Sequence, residues 1–326
     1  MCPFVSFVVK YLVDLMNPSP LFSVIIPTYN RAGKCIRAVD SVLRQTCQDF
    51  DLWVIDDGST DDTRAVLEPY ASRINYRYQP NQGACVARNT GIQHSKGRYI
   101  AFLDSDDRWL PGKLAAMAET IQAHPEVGIF YSSVTNVTED GRVLWQVNAR
   151  NVRGSTYLEL LKADFMVLSS VVVKRDCLED TGLFDPSVKM SEDWDLLILL
   201  ARRYPIFPLP QTLVIFEYSA PEKKTRDYQQ WITEHDPVIQ KAFQADPSLT
   251  TGQKRRILSS IAYVKGRICM EARAEADALP WFRQSLRLNI LHWKSAIYLL
   301  LLYLPAIRRM LPVRVKIVLR LPETTP

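Results

Sequence analysis

A chain of 326 residues with 47% hydrophobic and 23% charged side chains has the composition of a globular protein built as one large domain, or as one domain with a smaller companion. Its formal net charge of +5 is local, because residues 291–326 hold six Lys/Arg against the single acid Glu323, while the first 290 residues are balanced. That balance argues against a nucleic-acid binder, whose main domain would carry a basic stripe, and six cysteines without a C-x-x-C pair or zinc spacing read as single thiols of a reducing compartment.

Residues 1–16 are apolar but lack a basic leading region and a small-residue cleavage site, and they are too short to span a bilayer. With the linker around Asn17-Pro18-Ser19 they form an expected extension over 1–19. Leu21–Pro27 is an apolar, β-branched run and reads as a strand, followed by the polar loop Thr28-Tyr29-Asn30-Arg31. Lys34–Gln45 has helical spacing at Ile36, Val39, Val42 and Leu43. Phe50–Ile55 predicts a second strand, ending in Asp56-Asp57-Gly58-Ser59, and Thr63–Tyr70 predicts a helix. A third strand is expected at Ile74–Tyr78, then a turn at Asn81-Gln82-Gly83 and a helix over Ala84–His94. The short apolar run Tyr99–Leu103 reads as a buried strand, and a helix from about Pro111 to Ala123 follows. Strands alternating with helices imply βαβ units, hence an α/β fold with a mainly parallel central sheet flanked by helices.

Further strands are expected at Val127–Val134, Arg142–Val147, Phe165–Lys174 and Leu209–Tyr218, with a short helix at Thr156–Ala163. Ser191-Glu192-Asp193-Trp194-Asp195 precedes the helix Leu196–Ala201. Its acids suit a positive helix N-terminus, yet Asp193 beside a bulky Trp also reads as a proton acceptor facing a substrate. From Pro221 the pattern turns helical, over 227–243, 251–274 and 277–288, with Tyr263, Gly266, Ala278, Phe282 and Leu286 resembling a tetratricopeptide-like helix pair. The domain expectation is therefore an α/β domain over 20–220 and a smaller helical region over 221–326.

Chemistry concentrates where strands end. Tyr99–Leu103 stops at Asp104, Asp106 and Asp107. An extended backbone through Ser105 would aim Asp104 and Asp106 at one face, where two carboxylates repel unless a cation sits between them. Mg²⁺ or Mn²⁺ suits such oxygen ligands, and a solvated Asp-rich turn is the alternative. In open α/β sheets ligands bind beyond the carboxyl ends of the strands. Here three strand ends carry polar groups: Thr28 and Tyr29, Asp56 and Asp57, and Asp104 to Asp107. No G-x-G-x-x-G follows the first strand and no P-loop occurs, so a bound nucleotide would be held by side chains and a metal.

Ser-Val-Ile-Ile-Pro-Thr-Tyr-Asn-Arg (23–31), Val-Ile-Asp-Asp-Gly-Ser-Thr-Asp (54–61), Asn-Gln-Gly-x-x-x-Ala-Arg-Asn-x-Gly-Ile (81–92), Phe-Leu-Asp-Ser-Asp-Asp (102–107), and Gly-Leu-Phe-Asp (182–185) with Glu-Asp-Trp-Asp (192–195) stand in a telling order. From about Leu21 to Tyr218 the chain resembles family-two glycosyltransferases. The resemblance implies the GT-A fold and a metal-dependent, inverting transfer of a sugar from a nucleoside diphosphate donor, such as a UDP-sugar, to a glycan or lipid-linked hydroxyl. It implies that Pro27, Thr28 and Tyr29 line the base and ribose pocket, that Asp57 meets the base edge and Arg88 the nucleotide, and that Arg31, Gly58 and Ser105 complete the donor side. Asp104 and Asp106 match the family's DXD motif, with Asp106 the more direct metal ligand, and Asp193 matches the general base, with Glu192 and Trp194 on the acceptor side. Many relatives follow the last strand with Tyr-Arg-x-His. This chain has Phe216-Glu217-Tyr218-Ser219 there, without a His, which leaves water, phosphate or Glu217 as the alternatives for a third metal ligand.

The apolar run Ser295–Ile307, broken by Pro305 and followed by Arg308 and Arg309, is too short for an ordinary membrane span. It is either a core helix or an element lying on an anionic membrane, which would put the protein in the cytoplasm at the inner face of the cell membrane through 291–326. Two other functions remain to be separated from the first: a nucleotidyltransferase on a similar sheet, and a non-catalytic sugar-nucleotide-binding protein.

Overall fold

Phe22–Thr28 forms strand β1, and all seven of its residues are buried, as expected for a strand covered on both faces. It lies between β2 (Phe50–Asp56) and β4 (Tyr99–Phe102), parallel to both, and β2 pairs in parallel with β3 (Asn75–Tyr78). The connecting helices Ala32–Leu43 and Ala84–His94 supply the crossovers that parallel strands require. Gly91 lets the second of these close on the sheet, since a Cβ there would stand 2.6 Å from Ile25 Cγ2. The computed structural model describes residues 19–149, 152, 155–217 and 228–304. Residues 1–18 of the expected extension over 1–19, residues Tyr218 and Ser219, and the basic tail from Arg308 lie outside them.

Beyond β4 the sheet becomes mixed. The remaining strands are β5 (Arg108–Trp109), β6 (Ile129–Val137), β7 (Val143–Val147), β8 (Val171–Lys174) and β9 (Ile206–Glu217). Among the described residues the sheet has nine strands and runs β3-β2-β1-β4-β8-β6-β9-β5, with β7 paired to β6. β8 is antiparallel to both β4 and β6, β5 is antiparallel to β9, and only β6 with β9 is parallel in this half. The apolar run expected as a strand over Phe165–Lys174 is strand only from Val171, because Leu168–Ser170 winds into a buried 3₁₀ turn.

The described residues divide into two compact units, the first comprising residues 19–149, 166–187 and 199–217, the second 152, 155–165, 188–198 and 228–304. The division falls inside the helix Glu192–Arg203. The first unit holds the sheet and a core that includes Val24, Ile26, Val54, Ala101, Leu103, Trp109 and Phe130. The second holds the helices Tyr228–Ala245, Thr251–Glu271, Glu275–Leu288 and Trp293–Tyr303. A capping box at Thr250 and Gln253 starts the second of these. Gly266 leaves room for the Phe282 ring, which a Cβ would meet at 2.7 Å. Among the described residues no helix is long and apolar enough to cross a membrane.

Candidate active site

The loops after β1 and β2 are stitched together by short polar side chains. The Asn30 N–H donates to Ser59 Oγ at 2.9 Å, the Thr60 N–H donates to Asn30 Oδ1 at 2.7 Å, and the Ala32 N–H donates to Asp61 Oδ2 at 3.1 Å. Asn30 holds a φ of +51°, which Asn tolerates better than most residues. Asp56 is buried and accepts from the Ser59 N–H at 2.8 Å and the Tyr76 hydroxyl at 2.6 Å. Burial, then the bond to Asp56, pushes the Tyr76 phenol up from its ordinary value.

Asp57 clamps the next loop. Its carboxylate accepts from Gln79 Nε2 at 2.7 Å, the Gln82 N–H at 3.0 Å and the Gly83 N–H at 2.8 Å. A carboxylate has about four acceptor positions, so these three bonds leave one. Gly58 has a φ of +87°, and a Cβ there would stand 2.7 Å from the Asn81 nitrogen, so its part is to let the backbone turn. Pro27, Thr28 and Ser105 are buried, whereas Tyr29 is half exposed.

At the end of β4 the backbone does not run on extended. The Asp107 N–H donates to Asp104 O at 3.0 Å, so residues 104–107 form a turn. Asp104 and Asp106 are nonetheless both close enough to Asp107 to raise its pKa. Each also meets an arginine. Arg88 Nη2 donates to Asp104 Oδ1 at 2.7 Å, and Arg31 Nη1 pairs with Asp106 Oδ2. Both carboxylates are partly exposed, Arg31 more so, and Arg88 is buried with its guanidinium 5.3 Å from the Phe184 ring centroid. Asn89 fixes that ring's segment by exchanging two hydrogen bonds with the Phe184 backbone, at 2.8 and 3.0 Å. The motifs over 81–92 and 182–185 thus meet.

Asp107, read from sequence only as a third acid, is buried under this turn. Its Oδ2 accepts from Ser169 Oγ at 2.5 Å, and Ser169 Oγ in turn accepts from the Asp104 N–H at 3.0 Å. Burial first, then the charges of Asp104 and Asp106, push the Asp107 carboxyl well above the usual carboxylate range. The Trp109 indole donates to Ser169 O at 2.8 Å and Lys113 Nζ donates to Ser170 O at 2.9 Å, so the 3₁₀ turn is pinned beneath the acidic rim. Ser169 was not foreseen. The signal was two hydroxyls inside the apolar run Val-Leu-Ser-Ser-Val-Val-Val.

Lys113 is fully buried, and burial pushes its ammonium from 10.5 down to about 7. The folded value lies below the unfolded one, so between about pH 7 and 10.5 the unfolded chain holds the extra proton. This group therefore makes the fold more stable as pH rises through that window, and its penalty is full below it. Lys113→Met removes the penalty but orphans the Ser170 carbonyl. We expect a net gain of about 1–3 kcal/mol at neutral pH and a flatter pH dependence in urea unfolding. A variant whose stability climbs with pH as steeply as the parent would assign the slope to other groups.

Glu217, left open as a third metal ligand, is paired with an arginine. Its two carboxylate oxygens take Arg37 Nη2 at 2.7 and 3.0 Å, and its N–H donates to Asp107 Oδ1 at 3.4 Å. Among the described residues no group of three or more His, Cys, Asp or Glu is arranged to hold a metal ion.

Glu192, Asp193 and Asp195 occupy the first turn of the helix Glu192–Arg203, within the second unit. Asp193 Oδ1 accepts from the Trp194 N–H at 2.8 Å, and Asp195 Oδ2 takes Lys241 Nζ at 2.7 Å. Trp194, expected on the acceptor side, is packed inside. Its ring is fully buried, its indole donates to Leu160 O at 2.8 Å, and it packs 5.0 Å from the His235 ring.

Residues 23–179 match the family model described as Glycosyl transferase family 2. The putative teichuronic acid biosynthesis glycosyltransferase TuaG of Bacillus subtilis (strain 168) is 33% identical over 184 residues, which are 55% of this chain and 71% of TuaG. The chain spans a smaller share, 26% to 30%, of the length of several Rickettsia proteins named as uncharacterized glycosyltransferases. Among solved structures, S. aureus TarS 1-349 in complex with UDP-GlcNAc is 18% identical, over 82% of this chain and 91% of that one, with a TM-score of 0.53. Mannosyltransferase PcManGT from Pyrobaculum calidifontis, in complex with GDP-Man and Mn2+, is 17% identical over 97% of this chain and 92% of that one, with a TM-score of 0.58. At these identities the structural likeness is one of fold.

Proposed function

The chain belongs to glycosyl transferase family 2 and has the GT-A fold, and from that premise we propose that it moves a sugar, with inversion, from a nucleoside diphosphate donor to a hydroxyl of a glycan or lipid-linked acceptor. A UDP-sugar is the proposed donor. The reading rests on one observation: Asp104 and Asp106, partly exposed at the end of a parallel strand, each share the rim with an arginine suited to phosphate. UDP-GlcNAc in TarS and GDP-Man with Mn2+ in PcManGT support a nucleotide-sugar donor and a divalent cation, Mg²⁺ or Mn²⁺.

Asp104 and Asp106 fit such a cation, being oxygen donors whose joint charge already bears on Asp107. Those two carboxylates would hold the cation from the protein side. When bound, the cation stabilises the charge that grows on the leaving diphosphate. Arg31 and Arg88 then have phosphate oxygens as alternative partners. Tyr29 covers the base and ribose, Pro27, Thr28, Gly58 and Ser105 shape the pocket wall, and Asp57 offers its remaining acceptor position to the base edge. Asp193 takes the proton from the acceptor hydroxyl, with Glu192 on the acceptor side. A single displacement from the face opposite the leaving group inverts the anomeric centre.

We assign the chemistry to a domain over 20–220 and place the protein in the cytoplasm, with peripheral membrane contact through 291–326. The test is donor hydrolysis with Mn²⁺. Release of UDP from a UDP-sugar supports the proposal. Release of pyrophosphate from a nucleoside triphosphate would make the chain a nucleotidyltransferase, and nucleotide binding without turnover would make it a binding protein.

A further inference from the structure

The helix Trp293–Tyr303 is apolar on opposite faces. Inward it sets Ser295, Tyr298 and Leu301, all buried, with Tyr298 stacked on Phe282 at 4.8 Å. Outward, at the spacing of three and four residues that keeps side chains on one face, stand Trp293, Ala296, Leu300 and Tyr303, all exposed. Ile290 and Leu291 precede this stripe with 84% and 82% of their surfaces open, and Leu304 follows it. Of nine exposed large apolar side chains among the described residues, six fall within 290–304, so this is a patch rather than scatter.

Cations lie beside it. Residues 281–304 include Arg283, Arg287 and Lys294 and no acid. Arg283 donates to the Tyr303 hydroxyl and lies 5.7 Å from that ring, and Lys294 lies 5.7 Å from the Trp293 ring. Aromatic rings with cations beside them match the boundary of a bilayer, where rings sit at headgroup level and cations meet phosphate. A helix of 11 residues reaches roughly 16 Å, about half of a hydrocarbon core, so it lies along the surface instead of crossing it. Symmetric self-association would press Arg283, Arg287 and Lys294 of one copy against the same patch of another, which like charges disfavour.

We propose that the outward face of Trp293–Tyr303, with Ile290, Leu291 and the flanking cations, docks on the surface of an anionic phospholipid bilayer. This deepens the peripheral contact proposed above and is independent of the donor site. The test is co-sedimentation of the full chain with vesicles of phosphatidylcholine alone or mixed with phosphatidylglycerol, in parallel with a UDP-binding titration. The full chain is expected to sediment with the anionic vesicles, and less so as salt is raised. Two double variants, Trp293→Ser with Leu300→Ser and Arg287→Gln with Lys294→Gln, are each expected to lower vesicle partition about tenfold or more. Both keep the parent's melting temperature and UDP affinity, so loss of docking is separable from failure of the donor reading. Equal sedimentation of parent and both variants would overturn the proposal. So would a parent chain that stays in the supernatant with both vesicle types, or one that forms a concentration-dependent dimer and ignores vesicles.

Discussion

Asp106→Ala is expected to lower Mn²⁺-dependent release of UDP from a UDP-sugar by about a hundredfold to a thousandfold, while the protein melts within a few degrees of the parent. The first effect follows from removing a carboxylate that the proposed mechanism places against the cation, where charge stabilisation in the transition state is worth this much. The second follows from exposure. Arg31 and Asp106 are both partly open to solvent, and such pairs contribute about 1 kcal/mol or less. The measurement is UDP release by the purified variant beside a thermal melt. A variant that hydrolyses donor at the parent's rate would remove Asp106 from the site.

Asp193→Asn is expected to leave UDP affinity within about twofold of the parent and to lower transfer to an acceptor by about a hundredfold to ten-thousandfold, the range for a lost general base. Asn keeps an oxygen for the Trp194 N–H, so the first turn of the helix Glu192–Arg203 retains its local bond. What it loses is the negative charge near the helix N-terminus, worth about 0.3–1 kcal/mol, and the ability to take a proton. Donor-binding titration and acceptor transfer, measured on one preparation, separate the two roles. Transfer unchanged by the substitution would leave Asp193 as part of the helix start alone.

The sequence displayed the parallel half of the sheet clearly, because β1, β2 and β4 are mainly apolar runs with polar residues gathered where the strands end. The other half was harder to see. β5 is two residues long, too short to carry a period, and exists because β9 pairs with it from about a hundred residues further on. Leu168–Ser170 sits in a run of strand formers but winds into a turn, because Trp109 and Lys113 take the carbonyls of Ser169 and Ser170. Local propensity carries no record of such distant partners.

The same limit applies to the candidate site. Asp104 and Asp106 stood out as acids ending a buried strand, and the structure keeps both at a partly open rim. Their pairing with Arg88 and Arg31 was not visible, although both arginines had been placed in the donor site through the family likeness. Asp107 looked like its neighbours in sequence but is a buried carboxyl, because Ser169 and the Glu217 backbone close over it. Trp194, expected on the acceptor side, is a core residue whose indole meets Leu160. Burial depends on what arrives from elsewhere in the chain, and one stretch of sequence cannot report it.

The central claim is that Asp104 and Asp106 hold a donor diphosphate through a divalent cation. Calorimetric titration of UDP into the full chain, with Mn²⁺ and then with EDTA, tests it most directly. We predict that Mn²⁺ tightens UDP binding by about tenfold or more and that Asp106→Ala abolishes this gain. UDP bound equally well in EDTA, with the variant indistinguishable from the parent, would contradict it.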